Sequence, residues 1–123
     1  MRKFLLGLVL LDQVIKYATW SLGWVTINKG IAFGLFPSET SLTVILVVLV
    51  FTSLLMKLKL AKNSYKINQA AMLMVAGGLS NMLDRVFYGG VIDYLHLPFV
   101  PSFNLADLAI TSGFLLVIFN LFT

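Results

Sequence analysis

Four long apolar runs alternate with short polar junctions along the chain, broadly Phe4 to Trp24, Ser41 to Met56, Ile67 to Leu83 and Leu105 to Leu121. Each approaches the roughly 20 residues that the hydrocarbon of a bilayer requires. The pattern therefore predicts transmembrane helices over about 4–24, 41–58, 67–86 and 104–122. These consume most of residues 1–123, which leaves one membrane domain with no repeat and no low-complexity linker. Between the third and fourth runs, Gly89 and Gly90 break the helical pattern, and the alternation Val91-Ile92-Asp93-Tyr94 predicts a short extended segment.

Composition agrees with a bilayer environment: 59% of residues are hydrophobic and 11% charged, against about a quarter charged in soluble domains. The basic residues fix an orientation. Arg2 and Lys3 precede the first run, and Lys57, Lys59, Lys62 and Lys66 crowd the junction between the second and third, so both places are expected on the cytoplasmic side. Both termini then face inward, and the Trp24 to Thr40 and Tyr88 to Asn104 segments face outward. The net charge of +4 is thereby topological, with membrane lipid rather than nucleic acid as its expected partner. The absence of cysteine removes disulfides, thiolate nucleophiles and soft metal sites. The opening MRKFLLGLVLL has the basic and apolar parts of a leader, but Asp12 interrupts it and no small-x-small site follows, so cleavage is not expected.

An ionisable side chain inside a bilayer costs a few kcal/mol at least, and several lie within these runs. Asp12 and Lys16 are four residues apart, acid first, the favourable order for a helical ion pair; a self-neutralising structural pair and a contact with substrate both fit. The third run carries Gly77, Gly78, Asn81, Asp84 and Arg85, and the steps from 77 to 81 to 84 or 85 keep one helical face. The glycines suit close helix packing, Arg85 suits an interfacial anchor, and Asn81 must find hydrogen-bond partners. Asn104 is placed as a helix N-cap, with Asp107 at the third helical position, a role that would by itself account for Asp107.

Asp93 gives that second aspartate another meaning. Two aspartates near the outer boundary, without metal ligands around them, form the constellation for acid–base hydrolysis, one carboxylate taking a proton from water and one carboxyl protonating the carbonyl. No metal and no cofactor is expected. His96, the single histidine, lacks the partners of a zinc site and reads as an interfacial side chain. A serine–lysine arrangement of Ser80 or Ser21 with Lys16 is a second chemistry these residues allow.

The chain resembles the lipoprotein signal peptidases of bacteria, signal peptidase II, over nearly its whole length. The resemblance is carried by DQVIK at Asp12 to Lys16, NKGIAFG at Asn28 to Gly34, GGLSNMLDR at Gly77 to Arg85 running through Gly89 to VIDY at Val91 to Tyr94, and FNLAD at Phe103 to Asp107. It implies a catalytic pair of Asp93 and Asp107, with Asp12, Lys16, Asn28, Gly30, Gly77, Asn81, Asp84, Arg85 and Asn104 binding substrate or supporting the site. It implies an all-α integral membrane protein, a four-transmembrane-helix bundle with a small extracytoplasmic β-structured cradle, here drawn from the Trp24 to Pro37 segment. It further implies an aspartic endopeptidase of the bacterial inner membrane that cuts diacylglyceryl-modified prolipoproteins before the modified cysteine and is a target of globomycin-type inhibitors. A monomer is expected. Ser80 departs from the glycine common at that position, and the outer loop between the two aspartates is short for the family. That loop, about Leu95 to Ser102, is expected to move as substrate reaches the pair. The rival classes are a small transporter or channel subunit and an assembly factor whose polar residues only hold helices together.

Overall fold

A computed structural model of the chain describes residues 2–29 and 64–122. The expected helix over 41–58, Gly30, most of the NKGIAFG motif and the lysines at 57, 59 and 62 lie outside the described residues. Within them the order is α1 (Arg2–Ser21), β1 (Thr26–Asn28), α2 (Ser64–Tyr88), β2 (Val91–Asp93), β3 (Leu95–Leu97), β4 (Val100–Phe103) and α3 (Leu105–Phe122).

Both long helices preceding the strands end at glycine. Gly23 and Gly89 each take a φ of 72°, a left-handed conformation open to residues without a Cβ. The Gly89 amide donates to the Arg85 carbonyl at 3.1 Å, closing the last turn of α2 just before the chain turns into β2. β1 and β2 pair antiparallel, with Thr26 opposite Asp93 and Asn28 opposite Val91. β3 and β4 form a second antiparallel pair with an irregular register between Leu95 and Leu97.

Of the Trp24 to Pro37 segment expected to supply the cradle, residues 24–29 are described and contribute β1; residues 30–37 lie outside the described residues. β2 is the extended segment expected at Val91 to Tyr94, and β3 and β4 come from the short outer loop. The segment expected as a covering loop is a hairpin because Pro98 and Phe99 close a two-residue turn between β3 and β4, with Phe99 at φ 63°, the positive φ such a turn requires. The two sheets are also tied by side chains. Thr26 donates to Ser102 Oγ at 3.1 Å, and the His96 ring spans Ser102 Oγ and the Trp24 carbonyl at 3.0 Å each. A carbonyl only accepts, so Nε2 carries the proton and Ser102 donates to Nδ1. His96 therefore braces the cradle.

α2 packs most extensively on α3 and less on α1. The approach is close because of glycine. A Cβ at Gly77 would meet the Ala106 carbonyl oxygen and Ile110, and one at Gly113 would meet the Ala70 carbonyl at 2.6 Å. Ala70, Ala76, Ala106 and Ala109 are buried beside them, and Ile67, Ala70, Met74 and Val117 form the apolar core at the other end of the helix pair. At the strand end the interior is polar: the largest fully buried side chains are Lys16, Asn104, Asp12, Asp84, Asp93 and Ser80. Large apolar side chains lie outside, among them Leu6, Leu10 and Val14 of α1 and Phe114, Leu115 and Phe119 of α3.

Gly77→Ala is expected to lower the thermal midpoint in detergent, at an overpacking cost of about 1–3 kcal/mol, because its methyl group meets backbone rather than a yielding side chain. An unchanged midpoint would contradict the contact.

Candidate active site

The site grows from the N-terminus of α3. Asn104 caps it: its Oδ1 accepts from the Asp107 amide at 2.9 Å, and its own amide donates to Asp107 Oδ2 at 3.0 Å. This is the reciprocal geometry of a capping box, with asparagine and aspartate in the two roles. The cap also reaches across to the strands. Asn104 Nδ2 lies 3.0 Å from Asp93 Oδ1, 3.0 Å from Asn81 Oδ1 and 3.2 Å from the Ile92 carbonyl. One residue therefore holds both aspartates, Asp93 through its side chain and Asp107 through its backbone.

Asp93 ends β2 and is 2% exposed. Burial, followed by the charge of Asp107, pushes its carboxyl up to about 7, against the opposing pull of Lys16 and a hydrogen bond from Asn28. Asp107 sits in the first turn of α3 and accepts from Asn81 Nδ2 at 2.9 Å. Arg85 lies near enough to Asp107, Asp93 and Asp84 for their charges to act on its guanidinium.

Behind the pair is a closed charge cluster. Lys16, 1% exposed, places Nζ 2.6 Å from Asp12 Oδ2, 2.6 Å from Asp84 Oδ2 and 3.1 Å from Asn81 Oδ1. An ammonium has three donors, and each has an acceptor. Asp12 takes a further bond from Ser80 Oγ at 2.6 Å and one from the Tyr94 hydroxyl at 2.7 Å. Asp84 takes one from Gln13 Nε2 at 2.9 Å and one from the Ile92 amide at 3.1 Å. Asn81 joins the two halves, accepting from Lys16 and donating to Asp107.

The structure brings Asp12, Lys16, Asn28, Asn81, Asp84, Arg85, Asn104, Asp93 and Asp107 into one connected region. Gly77 stands apart from the polar network and sets the distance to Ala106, next to Asp107. The serine–lysine alternative fails on geometry. Lys16 is saturated by carboxylates and an amide, Ser80 is spent on Asp12 and Gln13, and Ser21 donates to the Tyr17 carbonyl in its own helix. Ser80, a candidate nucleophile by sequence, instead supports Asp12. Two contributors have no role in the sequence reading: Gln13 lies within a quoted motif beside Asp12, and Tyr94 adjoins Asp93 with a phenol that must find a partner when buried. Burial and the bond to Asp12 hold that phenol well above its ordinary range. Among the described residues, no group of acidic or histidine side chains is arranged to hold a metal ion.

This arrangement of helices around a small β platform is a fold found in bacterial membrane enzymes. Two solved structures described as such superpose on this chain. One, at 2.3 Å, has a TM-score of 0.80 and 27% identity over 96% of this chain and 84% of that one. The other, at 1.9 Å, has a TM-score of 0.73 and 26% identity over 95% and 88%.

The chain belongs to the signal peptidase II family: the model described as Signal peptidase (SPase) II matches residues 4–123. It is 38% identical over 100 residues to the lipoprotein signal peptidase of Wigglesworthia glossinidia brevipalpis, covering 76% of this chain and 65% of that protein. With that of Syntrophomonas wolfei the identity is 41% over 91 residues, 74% of this chain and 61% of the relative. The chain thus spans under two thirds of the length of these relatives. With that of Anaplasma phagocytophilum it is 34% over 139 residues, 92% and 89%.

The folded chain holds the Asp93 proton more tightly than an unfolded chain, whose value is near 3.8. The stability this carboxyl contributes is therefore full below about pH 4 and lost as pH rises through about 7. Asp93→Asn removes that loss. Its thermal midpoint is expected to gain on the parent chain as pH rises from 4 to 8. A difference that does not vary with pH would count against the raised value.

Proposed function

We propose that this chain is an aspartic endopeptidase of the bacterial inner membrane that removes the signal peptide from diacylglyceryl-modified prolipoproteins, cleaving before the modified cysteine, with Asp93 and Asp107 as its catalytic pair. The observation that carries the reading is the joint grip of Asn104 on the two aspartates, in a chain of the signal peptidase II family.

In the resting pair the shared proton sits on Asp93, whose carboxyl titrates near 7, and Asp107 is the base. Asp107 takes a proton from water as the water oxygen bonds to the scissile carbonyl carbon, and Asp93 gives its proton to the carbonyl oxygen. The tetrahedral diol then collapses. The C–N bond breaks, the proton on Asp107 passes to the leaving nitrogen, and Asp93 recovers a proton from a diol hydroxyl. The products are the carboxylate end of the signal peptide and the free amine of the modified cysteine. Neither metal nor cofactor takes part in these steps.

Membrane placement is supported by the distribution of side chains. No helix among the described residues is long and apolar enough to cross a membrane by its hydropathy taken whole. The residues that lower the average in α1 and α2, notably Asp12, Lys16, Asn81 and Asp84, are buried inward, while Leu6, Leu10, Val14 and Tyr17 face out. What lipid meets in the folded bundle is the outer face, and the charges of the interior are paired with one another, the arrangement in which a membrane segment tolerates them. At 20 residues α1 rises roughly 30 Å, the thickness of the hydrocarbon. Arg2 and Lys3 stand at the end remote from the aspartates, which favours cytoplasmic termini and a site near the outer face. An apolar pocket of about 570 Å³, lined by residues including Trp24, Tyr94, Leu95, Leu97, Phe103 and Leu108, of which Tyr94 and Leu108 adjoin the two aspartates in sequence, suits a lipid-bearing substrate or a globomycin-type peptide.

Purified protein in lipid is expected to shorten a diacylglyceryl-modified prolipoprotein, and folded Asp93→Asn and Asp107→Asn variants are expected to lose at least about 10³-fold in rate. A transporter or assembly factor would leave the substrate intact even in the parent protein, provided that another family member cuts the same preparation.

The rate should also fall on the alkaline side with an apparent midpoint near 7, as the shared proton is lost from Asp93. A rate that is flat from pH 6 to 9 would exclude Asp93 as the acid.

A further inference from the structure

We propose that Tyr94 is a positioning residue for the acid pair, fixing the first turn of α3, which carries Asp107, to the buried cluster around Lys16. The inference rests on the peptidase reading above and extends it to a residue outside the catalytic pair.

The observation is a hydroxyl with two bonds of opposite sense. Tyr94 donates to Asp12 Oδ1 at 2.7 Å and accepts from the Leu105 amide at 2.9 Å. Leu105 opens α3, so its amide is one of the donors that a helix leaves without an internal partner. Asn104 Oδ1 serves the Asp107 amide, and the phenol serves Leu105. The first turn is therefore pinned at two points, by Asn104 from within and by Tyr94 from the adjoining strand segment.

The other end of the bond is just as constrained. Asp12 is 1% exposed and gives Oδ2 to Lys16 and Ser80, so its orientation is set before Tyr94 reaches it. Asp12 belongs to α1, Tyr94 follows Asp93 at the end of β2, and Leu105 belongs to α3. A single side chain thus joins three elements, and its own backbone is bonded directly to Asp93. Misplacing α3 by a fraction of an ångström would change the spacing between the two carboxyls, and catalysis is steeply sensitive to such spacing.

Tyr94→Phe keeps the ring, which lines one pocket with Leu95 and Leu108, and removes only the hydroxyl. Folded variant in lipid is expected to show kcat on a modified prolipoprotein reduced by roughly 10- to 100-fold, with KM within about threefold. As Asp107 is released from its fixed place its charge acts less on Asp93, so the alkaline limb of the rate profile should move to lower pH. Asp12, Lys16, Asp84 and Arg85, the other charges near the pair, are unaltered by the substitution. Hydrogen exchange gives a readout independent of activity: the Leu105 amide should be protected in the parent protein and lose protection in Tyr94→Phe.

Parental kcat and rate profile in Tyr94→Phe would overturn the proposal. So would free exchange of Leu105 in the parent protein, a measurement that needs no variant to fold. A variant that loses stability and rate together with its pH limb unmoved would reduce Tyr94 to a structural role. Failure of the parent protein itself to cleave would strike the peptidase reading, and the exchange at Leu105 would still decide whether Tyr94 holds α3.

Discussion

The structure depends on the satisfaction of one buried ammonium. Lys16 is all but excluded from solvent, and its three donors go to Asp12, Asp84 and Asn81. Bringing a charge into a low-dielectric interior costs several kcal/mol, and the cost is recovered only when geometry is good and every remaining lone pair is served. Here the remaining lone pairs are served from elsewhere in the fold. Ser80, Tyr94, Gln13 and the Ile92 amide each donate to one of the two carboxylates. A network this complete fixes α1 against α2 and β2 in one arrangement, because any slip would strand a buried charge.

The same requirement explains the division of the interior. Toward Ile67 and Val117 the helices meet through alanine, methionine and valine, and packing alone suffices. Toward the strands nearly every large buried side chain is polar, and small residues at Gly77 and Ala106 bring α2 and α3 close enough for Asn81 to reach Asp107. Helix proximity and hydrogen bonding are thus coupled: glycine sets the distance, and the amide uses it. The β platform supplies what helices cannot. β2 places the Asp93 carboxyl beside the cap of α3 and, through the Ile92 amide, anchors itself to Asp84.

Much of this was legible in the chain because hydropathy and local chemistry are short-range signals. The helix at α1 was expected over about 4–24 and runs Arg2–Ser21; α3 was expected from about 104 and begins at Leu105. The Asn104 cap and the extended Val91 to Tyr94 segment follow from residue type and spacing. The hairpin of β3 and β4 has no sequence signature, because its turn is made by Pro98 and a left-handed Phe99, where a sequence signal would need glycine or asparagine. The bracing role of His96 is hidden in the sequence because its partners, Ser102 and the Trp24 carbonyl, are six and 72 residues away. Tyr94 escaped for the same reason: its two bonds go to residues that only the tertiary fold brings near.

Asp107 is where local and global demands meet. Its place in the sequence allowed two accounts, a helix cap or a member of an acid pair, and the geometry makes them one. The capping bond to the Asn104 amide orients the Asp107 carboxylate, and the side chain of the same Asn104 extends to Asp93. An asparagine is suited to this because its carbonyl can accept from the helix while its NH2 donates across to a strand. Serine or aspartate would cap equally well, but neither offers an NH2 donor alongside its acceptor. The choice of cap residue therefore couples the helix terminus to the acid pair, so the rigidity of a local motif becomes the alignment of two carboxyls from different elements.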